Sequence, residues 1–177
     1  QFIDVFPRTA DSRIDLFPEA LELETPTGIY SYQGETAAAT YPLVLLSPAT
    51  SKTITSTLGE LRQRIASLEM HPQDASARDL ATGDAVRVFN DLGEIHCLVR
   101  TNQDMKPSTV GLPKGLWRKS TMNGSTANAL VSDASTDVGG GACFNDTRVD
   151  VTRVVTAELG EQQIALWPLE QPQDGVH

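Results

Sequence analysis

A mainly β domain with small helices, its strands closed into a barrel, is the fold class this sequence predicts, and three observations carry it. Thirteen glycines and ten prolines punctuate 177 residues, and aromatics make up only 6% of them, a balance that favours short strands joined by turns over long helices. Apolar residues alternate with polar ones in several short runs: Val86 and Val88, then Ile95, Cys97 and Val99, then the valines of "TRVDVTRVV". Many short strands expose many edges, and closing the sheet on itself removes them.

Taken in order, residues 1–40 combine "SRIDLFPEAL" with the proline- and alanine-rich connector "ETPTGIYSYQGETAAATYP". Its low apolar density predicts a mostly irregular arm packed on something else. "YPLVLLSPATSKTITST", residues 41–57, is an apolar strand running into a turn crowded with hydroxyls. In "GELRQRIASLEM", Leu61, Ile65 and Leu68 have helical spacing, so a short helix is expected to lead into a strand near Leu68 to Met70. "HPQDASARDL" starts a helix, with Pro72 in its first turn and Asp74 near the positive end of its dipole.

"ATGDAVRVFNDLGEIHCLVRT" predicts a hairpin turning at "NDLG", and "STVGLPKGLW" a further strand ending in a loop punctuated by proline and glycine. The polar stretch "RKSTMNGSTANALVSDASTDVGGGACFND" is too long for a mere connector and so is read as functional. "TRVDVTRVV" closes the pattern, Ile164 to Trp167 adds an edge strand, and the last ten residues fray. The expected organisation is an arm and connector over 1–40, a barrel over 41–157, and an edge strand and tail over 158–177.

A chain of this length with 40% hydrophobic content buries roughly two thirds of its unfolded surface, enough for one main core. The longest apolar runs, such as Leu43 to Leu46, fall far short of the roughly 20 residues of a membrane-spanning helix, so no membrane insertion is expected. The chain begins at Gln1 in mid-pattern and is read as a piece of a longer protein. Cys97 and Cys143 form no CxxC and have no histidine pair beside them; buried free thiols are the simpler reading, a disulfide the other.

The net charge of −9 argues against a nucleic-acid partner, which needs a basic surface. The charge is uneven, however. Asp11, Asp15, Glu19, Glu22 and Glu24 crowd one stretch, whereas Lys106, Lys114, Arg118 and Lys119 fall between Asp104 and Asp133 with no acid among them. An anionic ligand can be met there locally.

Each candidate site has a plainer alternative. His71 and Asp74, one helical turn apart near several serines, suggest a hydrolase, but no GxSxG elbow is present and His71 is more simply a helix-start residue. His96 lies on the face opposite Ile95 and Cys97 and reads as a surface strand residue; a metal site needs three convergent ligands, and the third of three histidines is the terminal His177. "GGGAC", residues 139–143, is a close-approach loop or a flexible turn, and Asn128 in "ANAL" either presents an amide to a heterocycle or caps a turn. Ser47, Thr50, Ser51, Thr53, Thr55, Ser56 and Thr57 with Lys52 offer hydroxyl donors and one point charge to a pyrophosphate, or form a solvated turn.

The order of these pieces is more specific than any one of them. "SRIDLFPEAL", "YPLVLLSPATSKTITST", "LEMHPQDASARDLATGDAVRVFNDLGEI", "VGLPKGLW" and "ANALVSDASTDVGGGACFNDTRVDV" together resemble the C-terminal dinucleotide-binding domain of the molybdopterin oxidoreductases, the family of formate dehydrogenases, nitrate reductases and dimethyl sulfoxide reductases. The match covers about residues 11–155.

The resemblance implies a double-psi β-barrel closing over the pterin and pyrophosphate of a bis(molybdopterin guanine dinucleotide) cofactor, with molybdenum or tungsten, in a full-length oxidoreductase whose remaining domains are its partners. It implies contacts from Ser47, Ala49, Thr50, Lys52, Ile54, Thr55 and Ser56 in the first turn, from Asn128, Phe144 and Asn145, and from Lys114 and Trp117. Thr50 and Ile54 stand where several relatives place an arginine and a histidine, leaving Lys52 the turn's only cation. No catalytic residue or metal ligand is implied in this chain, and the isolated domain is expected to hold no cofactor tightly and to turn nothing over. The alternative is a stand-alone barrel subunit that binds a partner chain in an oxidoreductase complex.

Overall fold

The computed structural model describes residues 5–25, 27–31, 40–50, 55–61, 65–136, 140–142 and 146–154. The chain divides into two compact units, one of residues 1–34 with 135–142, the other of residues 35–134 with 143–177.

In the smaller unit, the stretch expected to be irregular forms a short helix, α1 (Glu19–Glu24). Glu19 and Glu22 lie in its first turn, where carboxylates suit the positive end of the helix dipole, and Thr25 closes it by donating its N–H to the Leu21 carbonyl. Glu22 then accepts the Ile29 N–H at 2.8 Å, which ties the following turn back onto the helix. Sequence periodicity does not reveal α1 because it buries no residue. Phe17 stacks on Tyr30 with ring centroids 6.2 Å apart.

The larger unit is a barrel of six strands: β1 (Leu43–Leu46), β2 (Ser67–Met70), β3 (Ala85–Phe89), β4 (Glu94–Thr101), β5 (Thr109–Gly111) and β6 (Arg148–Arg153). Around the closed barrel they run β1-β5-β2-β4-β3-β6. β1 with β5 and β2 with β4 are parallel, and the other four pairings are antiparallel. This is the double-psi β-barrel expected.

The alternation in the sequence becomes the inside and outside of the barrel. Leu43, Leu45, Leu68, Met70, Val86, Val88, Ile95, Cys97, Val99, Val110, Val149 and Val151 fill the interior, each such side chain contributing about 1.5–3 kcal/mol when fully buried. Cys97 is a free, buried thiol, and burial pushes its pKa up to about 12. Cys143 and the edge strand at Ile164 to Trp167 lie outside the described residues.

α2 (Pro72–Ser76) starts as anticipated, with Pro72 in the first turn and the His71 ring nitrogen Nδ1 accepting the Gln73 N–H at 3.2 Å. Asp74 accepts the Ser108 N–H at 2.7 Å. Both members of the suspected hydrolase pair thus accept backbone N–H groups. The helix expected after the first turn is instead a 3-10 turn, Gly59–Leu61, and Leu61 is exposed. Its spacing with Ile65 and Leu68 therefore marks a turn followed by a strand.

His96 requires a correction. It projects from the outer face of β4 but is buried, because the segment after β5 folds over that face: Asn123 Oδ1 accepts the His96 N–H at 3.1 Å, and the His96 carbonyl accepts from Met122 N at 2.8 Å. Alternation identifies the face a residue occupies but not what covers it. Among the described residues no group of three or more His, Cys, Asp or Glu can hold a metal, and no helix is long and apolar enough to cross a membrane.

Candidate functional site at one end of the barrel

Strand direction collects the long connections at one end. Leu46 pairs with Gly111 where β1 and β5 both exit, and Glu69 opposite Gly111 places the start of β2 at the same end. Leu43 opposite Val149 and Val44 opposite Arg148 bring the start of β6 there, and Phe89 opposite Glu94 adds the tip of the β3–β4 hairpin. The connections from β1 to β2 and from β5 to β6 therefore both leave and return at this rim, while α2 lies at the other end.

The first turn and the segment after β5 run side by side. Leu112 donates its N–H to the Leu46 carbonyl at 2.9 Å, and Lys114 to the Pro48 carbonyl at 3.0 Å. This brings Ser47, Ala49 and Thr50 alongside Lys114. Further on, Thr55 adopts a left-handed backbone with φ 55°, and Gly115 at φ +73° packs onto it: a Cβ there would stand 2.1 Å from the Thr55 carbonyl oxygen. Only glycine fits so close an approach.

Trp117 makes the next contact. Its indole Nε1 donates to the Ser56 carbonyl at 2.8 Å, and a Cβ on Gly59 would lie 2.5 Å from the same ring edge. Lys119 Nζ sits 5.5 Å from the centroid of the Trp117 ring and donates to the Glu60 carbonyl. Sequence reasoning did not single out Gly59 or Gly115, because each is required by a partner more than fifty residues away.

Asn128 sits in a separate 3-10 turn, Ala127–Ala129, docked on the hairpin tip. Asn90 Nδ2 donates to the carbonyls of Leu130 at 2.8 Å and Arg148 at 3.1 Å, and a Cβ on Gly93 would come within 2.8 Å of the Ala129 carbonyl. The "FNDLGEI" hairpin thus supports the segment that presents Asn128, whose side chain is exposed. Lys52, Ile54, Phe144 and Asn145 lie outside the described residues.

The three rim cations differ in availability. Lys119 is engaged with Glu60 and Trp117, and Arg118 uses Nε on the Gly124 carbonyl at 3.1 Å. Lys114 is exposed and has no side-chain partner among the described residues. Near the rim, Glu94 is held ionised below the usual carboxylate range chiefly by its hydrogen bond from Arg87, against a weaker effect of burial and with help from the Arg87 charge and His96. His96 Nε2 stands 3.1 Å from Glu94 Oε1 without hydrogen-bond geometry. This acid is therefore matched by Arg87, a cation of its own.

The donor set suits an anionic, partly heterocyclic ligand: exposed hydroxyls at Thr55 and Ser56, an ammonium at Lys114 without a partner among the described residues and an exposed amide at Asn128, with no acid in the sequence from Met105 to Ser132.

Comparison with known proteins identifies the family of the domain. A family model described as the molydopterin dinucleotide binding domain matches residues 48–148. The catalytic chain of a putative dimethyl sulfoxide reductase from Halobacterium salinarum is 35% identical over 86 residues, covering 49% of this chain and 10% of that protein. Dimethyl sulfoxide reductase DmsA of Escherichia coli is 30% identical over 144 residues, covering 77% of this chain and 17% of that protein. The chain thus spans only 10% and 17% of these relatives' length. Acetylene hydratase from Pelobacter acetylenicus shares the fold, with a TM-score of 0.65 and 16% identity over 82% of this chain and 24% of that one.

Proposed function

This chain belongs to the molydopterin dinucleotide binding domain family, within the dimethyl sulfoxide reductase superfamily, and from that premise we propose that its barrel rim closes over the pterin and pyrophosphate of a bis(molybdopterin guanine dinucleotide) cofactor in a larger oxidoreductase. The observation that carries this reading is the convergence of Ser47, Ala49, Thr50, Thr55, Ser56, Lys114 and Asn128 on one end of the barrel. On sequence resemblance alone the reading extends to Lys52, Ile54, Phe144 and Asn145.

The residues present fit such a group. Lys114 supplies a point charge for a pyrophosphate oxygen, and its exposure leaves the ammonium free to reach it. The Ser47, Thr55 and Ser56 hydroxyls donate to phosphate or pterin oxygens, and the Asn128 amide donates and accepts at once, as a guanine edge requires. The bound cofactor would supply two-electron chemistry at its metal. This chain's part is to bind, orient and cover, so the isolated domain turns over no substrate.

The test is cofactor retention in the full-length enzyme. Lys114→Ala combined with Asn128→Ala lowers the metal and pterin recovered per polypeptide after gel filtration, with the fold retained by circular dichroism. Recovery equal to that of the parent would remove the rim from the cofactor site.

A further inference from the structure

Trp117 is held in a way that a direct cofactor contact does not require. Its one donor, Nε1, is spent on the Ser56 carbonyl at 2.8 Å; its ring edge is pressed on Gly59, where even a Cβ would lie 2.5 Å away; and Lys119 stands above the ring while donating to the Glu60 carbonyl. Two side chains from one loop thus grip successive parts of another, at residues 56, 59 and 60. Beside them, Gly115 abuts the Thr55 carbonyl while Thr55 holds a left-handed backbone, which a β-branched residue keeps only when its surroundings impose it.

We propose that Trp117 and Lys119 form a latch that presets residues 55–61 against the segment after β5, so that Thr55 and Ser56 face the ligand before it binds. Trp117 is then a positioning residue acting through Ser56, and Lys119 is a structural cation outside the set that neutralises the anion. The inference rests on the rim being the cofactor site. It adds that ordering of this turn is built into the protein, so less ordering cost falls on binding.

The Trp117→Phe substitution keeps a ring against Gly59 and removes only the N–H. In the full-length enzyme two quantities are read: amide hydrogen exchange of the 55–61 peptide in cofactor-free protein, and the rate of cofactor loss from loaded protein. Loss of one neutral hydrogen bond is expected to speed exchange of the Gly59 and Leu61 amides about fivefold and to speed cofactor loss by a similar factor. Parental exchange with faster cofactor loss would overturn the latch and make Trp117 a direct contact. Faster exchange with parental cofactor loss would overturn the link between latch and ligand.

Lys114→Ala, measured alongside, separates this proposal from the one beneath it. Faster cofactor loss in Lys114→Ala with none in Trp117→Phe sinks the latch alone; parental retention in both sinks the cofactor site. If Trp117→Phe does not fold, Lys119→Met removes the cationic half of the latch and is judged on the same two readouts.

Discussion

Gly115 and Thr55 meet backbone to backbone, so closely that a Cβ on the glycine would sit 2.1 Å from the threonine carbonyl oxygen. Two turns separated by sixty residues are therefore fitted through one missing side chain. Gly115→Ala meets both this clash and the cost of a left-handed backbone, and is expected to destabilise the domain by about 3 kcal/mol. Urea unfolding of the full chain checks it. A loss below about 0.5 kcal/mol would mean that the two turns separate freely.

Asn90 spans the hairpin tip to the carbonyls of Leu130 and Arg148. Asn90→Ala leaves both acceptors without that donor and is expected to cost about 1–3 kcal/mol. Because the same bonds hold the turn that carries Asn128, cofactor recovery should fall as well, whereas a core substitution of equal cost should leave recovery unchanged in folded protein.

Glu94 gives a pH dependence of defined sign. Its folded pKa lies below the ordinary 4.5, chiefly because Arg87 donates to the carboxylate. The stabilisation is present above that ordinary value and is lost as pH falls through the lower, folded one. The Glu94→Gln variant should be less stable than the parent near neutrality, and the gap should narrow as pH falls below the ordinary value of 4.5. Parallel stability curves across that range would exclude the pairing.

Cys97 is buried in the barrel interior with its thiol pushed up to about 12. The thiolate is the reactive form, so alkylation at pH 8 should leave Cys97 unmodified in folded protein and label it after denaturation, as read by peptide mass spectrometry. Labelling of the native protein would indicate that the barrel opens readily.

The hairpin, α2 and the barrel interior are legible from sequence because each is written in neighbouring residues: Val86 and Val88 facing Cys97 and Ile95, or His71 before Pro72. His96 shows the limit of that legibility, since its face follows from alternation but its burial depends on Asn123 arriving from a distant loop. The rim is subject to the same limit. Lys114, Arg118 and Lys119 read as equivalent cations in a row, and only the fold spends Lys119 on Glu60 while leaving Lys114 without a partner among the described residues. The bond from the Trp117 N–H to Ser56 is likewise made across sixty-one residues and is not written in the local sequence.

β6 has a further consequence, for the timing of assembly. Without it, β1 to β5 form an open sheet in which β1 and β3 each expose an edge, and β6 seals both through Leu43 opposite Val149 and Val88 opposite Val151. Such distant pairings form slowly and late, when that part of the chain has been made. A nascent chain that has not reached residue 154 can carry most of the rim residues without holding them in place. Insertion of the dinucleotide is therefore expected to follow translation of this segment, making β6 the checkpoint for maturation.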